Sequence, residues 1–368
     1  MKILHTIDSA GIYGAEVMLL NLMSEQARIG LDPILLSIEP YTSNISSDLV
    51  IEARRRGLNV VRMDMQRGYN RSDAYKLIDY AKSTGIGLIH SHGYKSNIIL
   101  GFLPRKVRTI PVICTAHGWT SVRFLSRIWL YVFLDKIAIR RLNAIVYVNP
   151  VSKNIVNHKQ YFFVANGIPA QDYSVSNSVD EFLLRKINSE FIIGTILRLS
   201  EEKGLIYLLE AVRLLILEGC NIKLAIVGDG PLRGQYQEYI DRYKLNDRIR
   251  LLGYQANASQ YLSLFDTFVL PSLTEGLPIT ILEAMQSGTP IIATNVGAIP
   301  YVLDNGKYGT IVHSANTDDL VAAIKSNVNN IEPFLAVAQN AQRHVLENFS
   351  CTTMTEKYLD IYQKVINK

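Results

Sequence analysis

Two glutamates with seven residues between them, Glu275 and Glu283, stand in the segment SLTEGLPITILEAM. Pro278 suits the first turn of a helix, so we expect Glu275 just before that helix and Glu283 about one and a half turns inside it. The start of a helix offers N–H groups and positive potential to an anion, here from Gly276 and Leu277. A ligand could place hydroxyls on both carboxylates and an anionic group on the amides. The alternative is a helix-start charge at Glu275 and an exposed polar stripe that contains Glu283.

Two cations lie in a second segment, GTILRLSEEKG, where a predicted strand passes into a helix. Arg198 stands at the end of the strand and Lys203 five residues later. A diphosphate suits this pair, because a guanidinium binds two oxygens at once and an ammonium acts as a point charge. Two solvated surface cations are the alternative. Together with the two glutamates, the pair indicates one ligand with a sugar, a diphosphate and a ribose, which is a nucleotide sugar.

A Gly-x-Gly sequence at Gly228 and Gly230 follows another predicted strand and precedes Pro231, which fits a first helical turn. Glycines here would let the backbone approach a ligand closely, although a plain tight turn between strand and helix has the same sequence. The third glycine of a dinucleotide-binding fingerprint is missing, which argues against NAD.

Polar residues also follow predicted strands in the first half of the chain. A glycine-containing loop that ends at Gly14 follows the first strand, and such loops can wrap a phosphate or an acceptor group. His90, His92 and His117 stand at strand ends and should point into a ligand cleft. Histidines can bind a metal, but no third ligand at suitable spacing accompanies them, so we predict no metal site.

Short β-branched runs alternate with helical patterns along the whole chain, which favours two parallel, doubly wound α/β sheets. Such sheets bind ligands outside the carboxyl ends of their strands, so we expect a cleft between two facing Rossmann-like domains. The polar stretch 171–178 predicts a boundary between domains at 1–175 and 176–348. The predicted strands are Lys2–Ile7, Pro33–Ser37, Asn59–Arg62, Gly87–His90, Val112–Ala116, Ala144–Val148, Phe191–Leu197, Lys223–Val227, Ile249–Leu251, Thr267–Leu270, Pro290–Ala293 and Gly309–Val312.

The composition is that of a folded protein of two domains, with 368 residues, of which 48% are apolar and 19% charged. No run of about 18 uncharged apolar residues predicts a membrane span. The N-terminus lacks the apolar region of a signal peptide, and three distant cysteines fit a reducing cytosol, so we expect a cytoplasmic protein.

Charge is divided unevenly between the two halves. Residues 1–175 carry 21 Lys and Arg against 12 Asp and Glu, a net +9, and residues 176–368 carry 17 against 21, a net −4, which together give the +5 of the whole chain. An anionic membrane surface or an acidic acceptor explains the basic half better than nucleic acid, because no nucleic-acid recognition module is present. Random surface charge is the alternative.

In their order and spacing these motifs resemble the family 4 glycosyltransferases, retaining enzymes of the GT-B fold. The resemblance covers nearly the whole chain, and it implies a C-terminal helix within 349–368 that crosses back to the first domain. The matching segments are GAE at 14–16, His117, NGI at 166–168, RLSEEKG at 198–204, VGDGP at 227–231, LG at 252–253, the Glu275–Glu283 segment and FS at 349–350.

The resemblance implies a role for each site residue. Arg198 and Lys203 would hold the donor diphosphate. Glu275 would bind hydroxyls of the donor sugar, Glu283 would bind the ribose, and His117 would lie beside the sugar and support the reaction. The remaining residues of the expected donor site are Gly14, Gly228, Gly276 and Leu277.

The implied reaction is retaining transfer of a hexose-type sugar from a UDP- or GDP-linked donor to a glycan or lipid-linked acceptor, in surface polysaccharide or glycoconjugate synthesis. The family uses no metal or other cofactor, because cations and helix amides stabilise the leaving diphosphate. An inactive or regulatory relative that binds nucleotide sugars, and a nucleotide-sugar epimerase on the same fold, are the alternatives. Two residues depart from the family pattern: Tyr13 replaces the first glycine of Gly-Gly-Ala-Glu, and Tyr301 replaces a glutamate on the donor side.

The segment Arg123–Arg141 predicts a helix whose apolar run, Ile128–Leu134, is too short to span a bilayer. Basic residues flank that run and aromatic residues lie inside it, a composition suited to a membrane interface. We therefore expect peripheral docking on the inner face of the membrane, helped by neighbouring basic residues. The alternative is a helix packed on the first sheet. The neighbouring basic residues are Arg105, Lys106 and Arg108.

Overall fold

The computed structural model of the chain describes residues 1–8, 11–12, 14–40, 47–66, 68–117, 127–148, 158–171, 173, 181–184 and 190–367. The chain forms two compact units. The first comprises Met1–Pro169 and Ser350–Lys368, and the second comprises Ala170–Phe349. The division falls before the expected boundary at 175, and most of the predicted boundary stretch lies outside the described residues.

The first unit is an α/β structure on a seven-stranded sheet whose strand pairs are all parallel. Its strands are β1 (Lys2–Ile7), β2 (Asp32–Pro40), β3 (Asn59–Met65), β4 (Leu88–Ser91), β5 (Val112–Ala116), β6 (Ala144–Tyr147) and β7 (Tyr161–Phe163), in the spatial order β3-β2-β1-β4-β5-β6-β7. The helices are α1 (Gly14–Arg28), α2 (Asp48–Arg55), α3 (Arg71–Ser83), α4 (Tyr94–Gly101) and α5 (Arg127–Ile139).

The second unit repeats this plan on a six-stranded parallel sheet. Its strands are β8 (Phe191–Ile196), β9 (Ile222–Val227), β10 (Ile249–Gly253), β11 (Thr267–Leu270), β12 (Ile291–Thr294) and β13 (Thr310–Val312), in the order β10-β9-β8-β11-β12-β13. The helices are α6 (Glu181–Leu184), α7 (Leu205–Leu217), α8 (Arg233–Arg242), α9 (Ile279–Ser287), α10 (Ile299–Val302), α11 (Thr317–Asn329) and α12 (Glu332–Asn348), and 3-10 turns cover Glu201–Lys203, Ala258–Leu264 and Asp304–Gly306.

Helix α13 (Cys351–Ile366) belongs to the first unit. The chain re-enters that unit where the Cys351 amide donates to the carbonyl of Ile168 at 3.1 Å, and the Ser350 hydroxyl caps the helix by accepting from the Thr353 amide at 3.1 Å. The apolar side of α13 then packs on the sheet and on α1. The buried residues of this contact are Ile3, Met18, Leu22, Met354, Tyr358, Ile361, Tyr362 and Val365.

Runs of β-branched residues predicted the strands well, because central strands of a parallel sheet are buried on both faces. Every residue of β9 is buried, as expected for a central parallel strand, and all twelve predicted strands are present within a few residues of their predicted ends. Strand β7 was not predicted, although residues 161–165 form an aromatic and apolar run. It is an edge strand of only three residues, two of which are exposed. Among the described residues, no helix combines the length and apolar character needed to cross a membrane.

Candidate functional site

The carboxylate of Glu275 lies in the loop between β11 and α9 and is held by two donors. The Nζ atom of Lys203 lies 2.6 Å from its Oε1, and the hydroxyl of Ser272 donates to the same oxygen at 2.7 Å. The Glu275 side chain is only 8% exposed. No described residue donates to Oε2, so half of this carboxylate keeps its hydrogen-bonding capacity.

Three loops at the carboxyl end of the second sheet are tied together by their backbones. The amide of Leu273, after β11, donates to the carbonyl of Glu202, after β8, at 2.8 Å. The amide of Ala298, after β12, donates to the carbonyl of Gly276 at 2.9 Å. These bonds fix the position of Lys203 relative to Glu275, although the two residues are far apart in sequence.

Unused donors lie on both sides of this ion pair. Arg198 follows β8, and its exposed side chain makes no ion pair or hydrogen bond with a described residue. The N–H groups of Gly276 and Leu277, which precede α9, donate to no described acceptor. The side chain of Leu277 is buried, so this residue would meet a ligand through its backbone. The loop after β8 therefore offers a free cation to an anion, and the loop after β11 offers free amides.

Glu283 is half-buried in α9, so it is not the exposed member of a polar stripe. Gln171 Nε2 lies 3.4 Å from its Oε1, and the Tyr173 hydroxyl covers the same turn by donating to the Glu283 carbonyl at 3.1 Å and lying 2.9 Å from Gln286 Oε1. No described cation forms a salt bridge with Glu283. Burial raises the pKa of its carboxyl to about 7. Such a carboxylate would be stabilised by hydroxyl donors from a ligand.

Two of the glycines predicted to lie in the donor site, Gly228 and Gly14, differ in whether the fold itself requires a glycine there. Gly228 has φ +131°, and a Cβ there would lie 1.9 Å from the carbonyl oxygen of Leu197. The fold itself thus requires this glycine, whether or not a ligand binds. Gly14, the first residue of α1, is exposed, and a Cβ there would meet no atom within 4 Å. Packing within the chain therefore does not explain Gly14.

The first unit has its own candidate site at the carboxyl ends of β4 and β5. A cavity of about 220 Å³ is lined by His92 and His117, together with Glu16 of α1 and Asp135 of α5. Burial lowers the pKa of His117 to about 4, so this imidazole is neutral at pH 7. A neutral imidazole has one N–H donor and one bare nitrogen acceptor.

A continuous chain of hydrogen bonds leads from His117 into the core. His117 Nε2 lies 3.4 Å from His92 Nδ1, and His92 Nε2 lies 3.0 Å from His5 Nδ1. His5 Nε2 lies 2.8 Å from Gln26 Oε1, and the Gln26 amide donates to the Tyr362 hydroxyl at 3.1 Å. We call these five residues the histidine relay.

Beyond Tyr362 the chain of contacts continues through His90. The Tyr362 hydroxyl lies 2.8 Å from His90 Nδ1, His90 Nε2 lies 2.7 Å from the Thr115 hydroxyl, and that hydroxyl lies 2.8 Å from the Tyr358 hydroxyl. All of these groups are buried. Their mutual contacts satisfy polar atoms that would otherwise be costly to bury.

His90 and His92 do have a third potential ligand beside them, His5, so the prediction that none accompanies them was wrong. Ring nitrogens of the three residues lie within 4.8 Å of one another. Burial lowers the pKa of each, to about 4 for His5, so all three are neutral. However, every ring nitrogen of the three already has a partner at 2.7 to 3.4 Å, and a metal would have to break such bonds. That the protein uses no metal stays a prediction.

Several residues of the site were missed by the sequence reasoning. His5 had an available signal, because it lies in β1 and stands in register with His90 of β4. The other residues carried no signal, since they come from distant parts of the chain. Of the two departures from the family pattern, Tyr301 is exposed on α10 and Tyr13 lies outside the described residues. The residues without a signal are Ser272, Gln171, Gln26 and Tyr362.

Both halves of the chain match known sequence families. Residues 12–170 match the family described as Glycosyltransferase Family 4, and residues 179–344 match the family described as Glycosyl transferases group 1. The UDP-Gal:alpha-D-GlcNAc-diphosphoundecaprenol alpha-1,3-galactosyltransferase of Escherichia coli is 26% identical over 315 residues, which cover 80% of this chain and 79% of that protein. The N-acetyl-alpha-D-glucosaminyl L-malate synthase of Bacillus anthracis is 24% identical over 312 residues, covering 81% and 80%.

The fold is also known from solved structures. The crystal structure of Anabaena HepE in complex with UDP matches this chain with a TM-score of 0.83 at 19% identity, covering 99% of this chain and 100% of that one. This likeness, together with the two parallel-sheet units, gives the fold as GT-B, as the sequence motifs predicted.

Proposed function

Because the chain belongs to the family 4 glycosyltransferases, we propose that it moves a hexose-type sugar, with retention, from a nucleoside diphosphate to a glycan or lipid-linked acceptor. The chain is a glycosyltransferase of polysaccharide or glycoconjugate synthesis. Donor, stereochemistry and acceptor are the proposed parts. The observation that carries the proposed donor is the loop cluster of the second unit, where the free side chain of Arg198 and the free amides of Gly276 and Leu277 accompany the Lys203–Glu275 pair.

The donor diphosphate is assigned to Arg198, to Lys203 and to the amides of Gly276 and Leu277. The ribose is assigned to Glu283, because a half-buried carboxyl without a cationic partner favours hydroxyl donors. We place uridine before guanosine as the donor base. The E. coli relative is named for UDP-Gal, and HepE was crystallised with UDP.

The donor sugar is assigned to Glu275 and His117. Glu275 keeps Oε2 available for sugar hydroxyls, and His117 is a neutral imidazole that can exchange hydrogen bonds with them. Arg198, Lys203 and the helix amides would stabilise the negative charge that develops on the leaving diphosphate, so the transfer needs no metal. Departure of the diphosphate and attack of the acceptor hydroxyl occur on the same face of the sugar in this scheme, which retains the configuration.

A two-stage experiment tests this function. First, a thermal-shift screen of UDP, GDP and their sugars identifies the donor, since a ligand that binds only the folded chain raises the melting temperature. The best donor is then incubated with a diphosphoundecaprenol-linked sugar, without added metal and with a chelator. We expect a product one sugar longer whose new linkage has the configuration of the donor.

The same assay separates the alternatives. An inactive or regulatory relative would show the thermal shift without product or donor hydrolysis. An epimerase would convert the donor into another nucleotide sugar in the absence of acceptor. Either outcome would contradict the proposed transfer.

We further propose that the first unit docks on the inner face of an anionic membrane to reach a lipid-linked acceptor. Helix α5 buries Val132 and Asp135 but leaves Leu130 50% exposed and Phe133 48% exposed. Trp129 stacks on Phe133 with ring centroids 5.5 Å apart. The helix therefore packs with one side and presents an apolar, aromatic side, as in interfacial helices. The start of the predicted helix, 123–126, lies outside the described residues.

Basic residues follow directly after α5. A cavity of about 870 Å³ is lined by Arg105, Arg140, Arg141 and Lys159, and none of the described residues that line it is acidic. Arg108 also lines it, but this side chain was wrongly expected to meet lipid. The Arg108 side chain is only 9% exposed. Its guanidinium donates to the carbonyl of Leu100, near the end of α4, at 2.9 Å, and to the carbonyl of Arg141, just after α5. Its role is to cap these two helices.

Co-sedimentation with phosphatidylcholine vesicles that contain phosphatidylglycerol tests the docking surface. Since each basic residue near such a surface contributes about 1 kcal/mol, R140A/R141A should bind about 30-fold more weakly at low salt. The L130S/F133S variant should also bind more weakly, and it should keep its salt dependence. The matched control is L217S, which alters an exposed leucine of the second unit. Equal pelleting of all variants would remove the membrane from this proposal.

A further inference from the structure

The donors and acceptors of the histidine relay are linked, so that the hydrogen bonds between its histidines must all run the same way along the relay. Where two neutral imidazoles face each other through single nitrogens, one nitrogen must carry the hydrogen and the other must be bare. The 3.0 Å contact between His92 and His5 and the longer contact between His117 and His92 both have this form. Once the tautomer of His5 is chosen, the tautomers of His92 and His117 follow from it.

The orientation of the Gln26 amide determines the tautomer of His5. Its Oε1 faces His5 Nε2, so His5 Nε2 carries the hydrogen and His5 Nδ1 is bare. His92 then donates from Nε2 to His5 and accepts at Nδ1 from His117 Nε2. His117 is left with a bare Nδ1, which makes no hydrogen bond with a described residue. With the Gln26 amide turned over, every bond of this series would reverse and His117 Nδ1 would be a donor.

We propose that Gln26, held by Tyr362, sets the tautomer of His117, so that His117 Nδ1 accepts a hydrogen bond from a ligand hydroxyl. Gln26 and Tyr362 are positioning residues, since neither lines the 220 Å³ cavity that His92 and His117 share. The amide of Gln26 donates to the Tyr362 hydroxyl, which leaves the hydrogen of that hydroxyl for His90 Nδ1. Loss of the Tyr362 hydroxyl would remove the acceptor that the Gln26 amide N–H uses in this orientation.

Helix α13 provides a matched pair of variants. Tyr362 and Tyr358 are both fully buried tyrosines of α13, and each loses only a hydroxyl on change to Phe. The Tyr362 hydroxyl contacts Gln26, whereas the Tyr358 hydroxyl contacts Thr115 at the far end of the network. Y362F and Y358F should therefore lower the melting temperature similarly and differ in their effect on His117.

The experiment records long-range ¹H–¹⁵N spectra of the full chain labelled at histidine, because bare and protonated ring nitrogens give well-separated signals. A spectrum of H117Q identifies the signals of His117. We expect protonated Nε2 and bare Nδ1 for His117 in the parent and in Y358F. In Y362F we expect either a mixture of the two His117 tautomers or the reversed tautomer, with protonated Nδ1 and bare Nε2. If Y362F does not fold, the isosteric Q26M replaces it with the same expectation.

Transfer is the second readout, and this step rests on the proposed function. The rate should fall about twofold for an even mixture and about tenfold for a reversed tautomer, while UDP affinity stays unchanged. A protonated Nδ1 on His117 in the parent, or identical spectra of Y362F and Y358F, would overturn the assignment of Gln26. A changed tautomer with an unchanged rate would overturn the acceptor role of Nδ1. Because the spectra need no donor or acceptor, failure of the transfer assay in the parent would contradict the function and leave the tautomer result standing.

Discussion

At the carboxyl ends of the first sheet the buried relay consists of neutral groups, namely imidazoles, an amide and a hydroxyl joined in series. At the corresponding ends of the second sheet the polar groups are charged, and the lysine and glutamate pair directly while Arg198 remains free. Both edges belong to parallel α/β sheets in which helices connect the strands. The difference is therefore due to side chains and not to the fold.

The comparison indicates that the two units recognise different chemical groups of a ligand. A charged loop cluster suits a diphosphate, since its cations and helix amides can take up negative charge. A buried neutral network suits hydroxyl groups, since it fixes donors and acceptors without a charge to desolvate. Changes in the second unit should therefore alter nucleotide affinity or the charge-developing step, whereas changes in the relay should alter the transfer rate alone.

The largest effect should come from E275Q. The change keeps the size of the side chain but removes the negative charge expected beside the reacting sugar, so transfer should fall by about 10²-fold or more. Calorimetry should show that UDP still binds, because the diphosphate is assigned to Arg198, Lys203 and the amides. E238Q, at an exposed glutamate of α8, serves as the control. Transfer within a few-fold of the parent would make Glu275 dispensable and weaken the comparison.

Arg198 should have the next largest effect, and on affinity. R198A removes a cation whose side chain forms no salt bridge with a described carboxylate, so UDP affinity should fall by about 1.5–3 kcal/mol. K325A is the matched control, because Lys325 of the second unit pairs with Glu218 on the surface at 2.7 Å. Unchanged UDP affinity in R198A would move the phosphate site away from β8.

Lys203 tests whether its pairing with Glu275 matters for the ligand. K203A leaves the Glu275 carboxylate facing the diphosphate without its cation, which lies 2.6 Å away in the parent. We therefore expect K203A to weaken UDP binding more in the parent than in the E275Q background, with a coupling of about 1 kcal/mol. Additive losses would mean that the two residues act on the ligand independently.

The contrast between the two edges also explains what the sequence could predict. Strand positions, the fold and the cations and carboxylates after β8 and β11 were accessible, because apolar periodicity and strand-to-helix loops are local features. The partnership of Lys203 with Glu275 was not, since it depends on how two loops tie together through Leu273 and Glu202. The relay was still less accessible, because its members come from β1, α1, α13 and the loops that follow β4 and β5. Long-range polar contacts leave no periodic trace in a sequence.

The smallest effect should be on how the stability of the second unit depends on pH, through the ionisation of Glu283. Burial raises the pKa of this carboxyl to about 7, above its ordinary value near 4.3. A raised acid pKa contributes stability that is complete below the unfolded pKa and is lost as pH rises through about 7. E283Q, which cannot ionise, should therefore be more stable than the parent at pH 8, by about 1 kcal/mol after allowance for partial exposure.

Ligand binding should show the opposite trend, which makes the test specific. Ribose hydroxyls donate to the ionised carboxylate, so affinity follows its ionised fraction and should fall about tenfold from pH 8 to pH 6. The phosphates of UDP also titrate in this range, and E283Q measures that background because it lacks the carboxyl. 2′,3′-Dideoxyuridine diphosphate should show only the background slope with the parent chain. If the dideoxy ligand and UDP show equal slopes, Glu283 does not bind the ribose, and its raised pKa reflects only the burial of its carboxyl in the second unit.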